Sequence, residues 1–260
     1  MIQAQSLRCG YGDTMILRGL DISLREDEFA VLAGPNGAGK STLLYALLGF
    51  LRLEAGRIEL FGRELRNYKR SELARLIAFV PQESLFQFDH SVFDIVLMGR
   101  YPYLGLMQSW TSQDRAAVGK VLQSLGLEAM AERFYSELSG GEKQRVLIAR
   151  ALAQDTKYIF LDESLSQLDI NHQIECMELL RGINRKEGKG ILLISHNLNL
   201  AANYADKLIF LKDGTGLGTG KPAEMMDPLK LEALFGMRLS TLINPSSGIP
   251  NLVYPGPDAR

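Results

Sequence analysis

Gly34-Pro35-Asn36-Gly37-Ala38-Gly39-Lys40-Ser41-Thr42 is the stretch that decides how the chain is read. It fits the pattern G-x-x-x-x-G-K-[ST], in which a glycine-rich loop wraps phosphate groups. Ahead of it, Phe29-Ala30-Val31-Leu32-Ala33 is apolar enough for a strand buried on both faces. After it, Leu43, Leu44, Ala46, Leu47 and Leu48 mark one helix that ends near Gly49. Strand, loop and helix in that order bring backbone N–H groups and a helix N-terminus around an anion. Gly34, Gly37 and Gly39 let the main chain curl and approach phosphate with no Cβ in the way. Lys40 is placed to reach the β- and γ-phosphates, and the Ser41 hydroxyl to ligate Mg²⁺. The stretch predicts a nucleotide-binding α/β protein.

At 260 residues, 46% hydrophobic and 23% charged, the chain has the composition of a globular protein with a real core. Its net charge of -1 gives no electrostatic case for nucleic acid as a partner. Cys9 and Cys176 stand far apart, outside any C-x-x-C, as expected of a reduced intracellular chain. Residues 1–6 carry no secretory pattern. The longest apolar stretch, around Leu43 to Leu53, falls short of the ~20 residues that span a bilayer. Any link to a membrane is therefore expected to run through another polypeptide.

Further motifs follow in order. Leu20, Ile22 and Leu24 alternate with Asp21, Ser23 and Arg25, as on an edge strand of an antiparallel sheet. Tyr11, between Gly10 and Gly12, is either a packed tyrosine or an exposed ring that stacks on a base. Ile77–Val80 reads as a strand ended by Pro81, with Gln82 at the strand end where α/β sheets bind ligands. Gln82 there contacts Mg²⁺ or the attacking water, or caps a loop. From about Glu83 to Leu138 the pattern turns helical, with a capped helix from His90 to Gly99 and a Pro-broken aromatic loop, Tyr101–Gly105. Thr111 and Asp114 form a capping-box pattern ahead of a helix stopped at Gly126. Leu138-Ser139-Gly140-Gly141-Glu142 opens another helix and offers a second anion-binding N-terminus, or an ordinary cap. Tyr158–Leu161 is a buried strand ending in Asp162 and Glu163, which point to opposite sides. Asp162 suits a metal, and Glu163 suits a general base on a water in line with the γ-phosphate. His196 also follows a strand, Ile191–Ile194; it is a satisfied capping residue or a γ-phosphate contact. Asp213–Gly216 reads as a turn, Asp227–Phe235 as a short helix and Pro245–Gly248 as the tip of a hairpin.

In this order the motifs resemble the ATP-binding subunit of an ABC transporter over essentially the whole chain. Residues 34–42 match that family's Walker A loop, Gln82 its Q-loop, 138–142 its signature and 159–163 its Walker B strand. Asp169 resembles its D-loop aspartate, His196 its switch histidine and Tyr11 its adenine-stacking aromatic. The resemblance implies a P-loop ATPase core of α/β class, carrying an antiparallel β subdomain and an inserted helical subdomain. The ATPase domain is expected over 1–240, its helical insertion over about 83–152, and a C-terminal tail over 241–260. It also implies a head-to-tail homodimer with ATP between Gly34–Thr42 of one copy and Ser139, Gly140, Gly141 and Asp169 of the other. Glu163 would act as base, His196 would position the γ-phosphate, and Ser41, Gln82 and Asp162 would hold Mg²⁺. One departure is Ser164-Leu165, where the family has Pro-Thr.

The run Ser91–Leu104 and the tail Asn244–Pro250 are similar to ATPases that serve ferric siderophores, haem and cobalamin. The expected function is to power such an importer from the cytoplasmic face of the membrane, through a separate permease and, indirectly, a substrate-binding protein. Molybdate or another metal as cargo, or a cytosolic assembly ATPase of the same superfamily, are the alternatives. DNA-repair relatives insert long coiled coils after the glutamine, which this chain lacks, and a weakly hydrolysing module fits poorly with Glu163 and His196.

Overall fold

Periodicity and punctuation in the chain resolve into regular elements in a computed structural model that describes residues 1–82, 88–105 and 108–254. The first are β1 (Ile2–Tyr11), β2 (Thr14–Leu24), β3 (Phe29–Ala33), α1 (Lys40–Leu47), β4 (Ala55–Leu60) and β5 (Arg63–Glu64). Next come α2 (Arg70–Leu73), β6 (Ile77–Val80), α3 (Val92–Leu97), α4 (Ser112–Ser124), α5 (Gly140–Ala153) and β7 (Tyr158–Leu161). The chain continues through α6 (Ile170–Glu187), β8 (Gly190–Ile194), α7 (Leu198–Tyr204), β9 (Lys207–Lys212) and β10 (Thr215–Gly220). It ends with α8 (Pro222–Met225), α9 (Pro228–Phe235), β11 (Ser240–Ile243) and β12 (Pro250–Val253). Two compact units emerge, one of residues 1–68 with 181–260 and one of residues 69–180. The start of the expected helical stretch, 83–87, and the end of the tail, 255–260, lie outside the described residues.

In the first unit, every residue of β3 is buried, as its unbroken apolar run demands. The strand order is β10-β9-β3-β8, with β3 parallel to both β8 and β9. A second, antiparallel sheet has the order β2-β1-β4-β5. Its edge strand β2 buries Leu20, Ile22 and Leu24 and exposes Asp21, the alternation expected of a sheet with one solvated face. Thr215–Gly220 departs from the sequence expectation, which stops at a turn. Only Asp213 and Gly214 turn, with φ of 49° and 75°, and the chain then runs on as β10 beside β9. Main-chain pairing supplies the bonds there, so glycines that lower strand propensity do not prevent the strand.

Buried and half-buried polar groups fasten this unit. Asp206 accepts from the Phe29 N–H at 3.0 Å, from both Arg181 terminal nitrogens at 2.9 Å and from Arg185 at 2.9 Å. Asn184 is buried and donates to the carbonyls of Asp27 and Lys189 at 3.0 and 2.9 Å. The C-terminal hairpin of β11 and β12 docks on α7 through Asn199, which donates to the Leu252 carbonyl at 3.0 Å and accepts from its N–H at 2.7 Å.

In the second unit, β6 and β7 pair in parallel and α5 packs against α3, α4 and β6. Three of its helices start on side-chain caps: Ser91 for α3, Thr111 for α4 and Ser139 for α5. The capping box predicted at Thr111 and Asp114 is present. The short helix α2 starts at Arg70. Tyr101–Tyr103, expected in a loop, belong instead to a 3₁₀ segment, Met98–Tyr103. Gly99 lets this segment press on α5, where a Cβ would fall 2.2 Å from the Arg150 carbonyl oxygen. The Tyr103 hydroxyl donates to the Gln154 carbonyl at 3.1 Å, and the Arg100 guanidinium lies 4.0 Å over the Tyr103 ring. These contacts hold Pro102 in a helical turn. Both cysteines are free and buried, and burial pushes the Cys176 thiol up to about 11.

Burial opposes ionisation of Asp206, but the Arg181 hydrogen bonds, the Phe29 N–H and the charges of Arg181 and Arg185 outweigh it and hold its pKa below the usual carboxylate range. A carboxyl with a depressed native pKa contributes stability above its unfolded pKa, and that contribution fades as pH falls through the native pKa. Asp206→Asn will therefore cost about 2 kcal/mol at pH 7 in urea unfolding. The gap between variant and parent will narrow as the pH is lowered through the acidic range.

Candidate functional site

In the first unit, parallel register sets the site. Leu32 pairs with Ile194, and the Ser195 N–H donates to the Leu32 carbonyl at 3.4 Å. Gly34 and His196 therefore leave the same end of adjacent strands. With Pro35, Asn36, Ser195 and Phe235 they line a cleft of about 210 Å³. Gly34 lies directly on β9, where a Cβ would fall 2.0 Å from the Leu211 carbonyl oxygen. The Ala38 carbonyl accepts from the Gly214 N–H at 3.0 Å, which ties the loop to the β9–β10 turn. Gly37 and Gly39 have φ of 78° and 99°, in the left-handed region that favours glycine.

Lys40 is the first residue of α1 and only 5% exposed. Its Nζ donates to the carbonyls of Gly34 and Pro35 at 3.0 and 3.1 Å, which folds the ammonium back across the loop. Ser41 and Thr42 follow on the first turn, and α1 begins on Gly39 with no side-chain cap. An N-terminus of this kind attracts negative charge. Tyr11 is 50% exposed at the tip of the β1–β2 hairpin. The returning strand of that hairpin touches the loop, with Ile16 and Leu17 atoms 3.1 Å from the position of a Gly39 Cβ.

The second unit repeats the register device. Val80 pairs with Leu161, and the Asp162 N–H donates to the Val80 carbonyl at 3.0 Å. Gln82, which is exposed, and Asp162, which is buried, thus follow neighbouring parallel strands at the same end. Glu163 is half-buried with φ of 45°, and its carbonyl accepts from the Ser166 N–H at 3.0 Å and the Ser166 hydroxyl at 2.7 Å. Proline after a residue disfavours the α conformations there; Ser164 imposes no such limit on Glu163. The Ser164 hydroxyl is itself buried, with no hydrogen-bond partner among the described residues.

Ser139 caps α5 with its Oγ, 3.3 Å from the Glu142 N–H, while the Glu142 carboxylate accepts from the Ser139 N–H at 2.8 Å. That backbone bond, with the Ser139 hydroxyl, draws the Glu142 pKa below its ordinary value. Asp169 accepts the His172 N–H at 3.0 Å and faces the His172 Nδ1 at 2.8 Å. These bonds lower the Asp169 pKa and raise that of His172.

The predicted residues are thus gathered within each unit: the loop with His196 in one, Gln82 with Asp162 and Glu163 in the other. His172, which the sequence analysis passed over, ties Asp169 to the start of α5 by lying against Gly141. The signal was there in principle, since an aspartate at a helix start three residues ahead of a histidine brings the two side chains together.

Residues 17–166 match the family described as ABC transporter. The chain is 35% identical over 252 residues to the ferric enterobactin transport ATP-binding protein of Escherichia coli, covering 97% of this chain and 93% of that protein. It is 38% identical over 251 residues to a hemin import ATP-binding protein of Bordetella avium, covering 94% and 95%. A bacterial ABC transporter cassette solved as a dimer superposes with a TM-score of 0.72 at 28% identity, over 85% of this chain and 98% of that one.

A buried hydroxyl without a hydrogen-bond partner costs stability. Ser164→Ala will accordingly raise the unfolding free energy by about 1 kcal/mol in urea melts. Loss of stability in that variant would show that the hydroxyl is bonded in solution.

Proposed function

The chain belongs to the ABC transporter family and is an ATP hydrolase of that kind, and from that premise we propose how it works and what it drives. Two copies bind ATP and Mg²⁺ between them and power the import of an iron chelate (a siderophore or haem) or of cobalamin. The observation that carries this reading is the likeness, over nearly the full length, to ATP-binding proteins for ferric enterobactin transport and hemin import, together with the cleft that joins the loop to His196. No described helix is long and apolar enough to cross a membrane. In this reading the pore is a permease subunit of the kind such ATP-binding proteins serve, supplied by a substrate-binding protein, and this chain works against its cytoplasmic face.

Within each site, Gly34–Thr42 wraps the phosphates and Lys40 shifts its ammonium from the loop carbonyls to the β- and γ-oxygens. Tyr11 stacks on adenine. Ser139, Gly140, Gly141 and Asp169 of the second copy close over the γ-phosphate. Ser41, Gln82 and Asp162 present oxygen donors of the kind that suits Mg²⁺, a hard ion commonly held by one or two carboxylates and phosphates. No larger His, Cys, Asp or Glu cluster exists among the described residues to suggest a different metal. A metal ion held there would neutralise charge on the phosphates. Glu163 takes the proton of the attacking water, and His196 orients the γ-phosphate; the protein positions groups and offsets charge.

Glu163→Gln will keep ATP binding and assemble as an ATP-stabilised dimer. Its turnover will fall about 100-fold or more, and cells carrying it will stop accumulating labelled ferric siderophore, haem or cobalamin. Unchanged turnover would remove Glu163 as the base, and normal uptake of all three labels would overturn the assignment to this class of importer.

A further inference from the structure

His172 occupies the first turn of α6 and is engaged on two sides. Its main-chain N–H donates to Asp169 Oδ1 at 3.0 Å and its ring Nδ1 lies 2.8 Å from Asp169 Oδ2. One residue thus holds both oxygens of that carboxylate. The ring also rests on Gly141, where a Cβ would fall 2.2 Å from its Cδ2, 2.7 Å from its Cγ and 2.8 Å from its Nε2. Beside it, the Leu168 side chain lies 3.6 Å from the position of a Gly140 Cβ. Both glycines of the Ser139–Gly141 turn therefore pack on the segment just ahead of α6 or on its first turn.

Among the described residues, the charged groups facing the ring are Asp169 just ahead of α6, Glu175 from α6 and Glu142 from α5. All three are carboxylates. A rigid ring, tethered at Nδ1 and pressed on a glycine, transmits displacement better than a flexible side chain of the same length. Asp169 and Gly141 cannot shift independently while that ring stays in place.

We propose that His172 is a positioning residue: by bonding Asp169 and stacking on Gly141, it holds the N-terminus of α5 and the Asp169 turn as one face for ATP bound to a second copy of this chain. The inference rests on the reading of Ser139, Gly141 and Asp169 as contacts to that second copy. It also explains why position 141 must be glycine, since any side chain would strike the ring.

The test uses the full chain with His172→Ala, and with His172→Asn, whose amide nitrogen reproduces the Nδ1 donor but not the ring. In the Glu163→Gln background, His172→Ala will raise the ATP concentration needed for dimerisation about fivefold or more, read by analytical ultracentrifugation. With Glu163 intact it will lower kcat while leaving the affinity of the monomer for a fluorescent ATP analogue unchanged, a split that general destabilisation would not give. His172→Asn will fall between the two. If His172→Ala unfolds, His172→Asn carries the test alone, and wild-type kcat and dimerisation in it would overturn the proposal. In a folded His172→Ala, values within about twofold of wild type would do the same. Failure of Glu163→Gln itself to dimerise with ATP would instead bring down the two-copy reading, and this inference with it.

Discussion

Parallel strand register is the constraint on which the remaining structure depends. Parallel strands start their outgoing loops at one common edge, and a slip of one residue would turn every side chain to the opposite face. Pairing of Leu32 with Ile194 puts Gly34 and His196 two residues beyond the same hydrogen-bonded level. Pairing of Val80 with Leu161 does the same for Gln82 and Glu163, with Asp162 one residue nearer the strand. The apolar strands thus work as rulers. Their burial, complete in β3, β7 and β8, fixes the register, and the register delivers the polar residues to the edge.

Electrostatics at the helix starts then separate five side-chain-capped helices from α1, whose start suits a ligand. Ser91, Thr111, Ser139, Asn197 and Asp227 each spend a side-chain oxygen on the first N–H groups of α3, α4, α5, α7 and α9. The helix α1 starts on Gly39 in a left-handed conformation and has no side-chain cap. Its dipole and the Lys40 ammonium offer positive potential, and its first turn carries no acidic residue. A phosphate would suit that end, much as a capping side chain completes α3, α4, α5, α7 and α9. The α5 start combines both modes, since Ser139 caps it while the Gly140-Gly141 backbone packs next to His172.

Most of this was legible in the sequence, for identifiable reasons. The apolar runs of β3, β7 and β8 and the loop at 34–42 carry local signals that do not depend on distant parts of the chain. The Thr111–Asp114 box and the Pro245–Gly248 turn are equally local. What was missed depends on partners. β10 has three glycines among its six residues and becomes a strand only because β9 pairs with it. Tyr101–Tyr103 coil into a 3₁₀ turn because α5 supplies the Gln154 carbonyl and a flat seat for Gly99. His172 escaped notice because its importance lies in what Gly141 lacks, a side chain, and that has meaning only once the two are side by side. The departure at Ser164-Leu165 was visible from the start, but the left-handed backbone at Glu163 required coordinates.

The central claim is that this chain is the ATP-driven half of an importer whose pore is another protein. Affinity purification of the tagged, full-length chain from detergent-solubilised membranes of its native host, with mass spectrometry of what co-elutes, tests it most directly. The account predicts a stoichiometric membrane protein of many helices, whose presence stimulates ATP hydrolysis by the chain and whose binding protein takes up an iron chelate or cobalamin. Recovery of soluble proteins alone, with ATP hydrolysis intact, would contradict the importer and leave an assembly ATPase in its place.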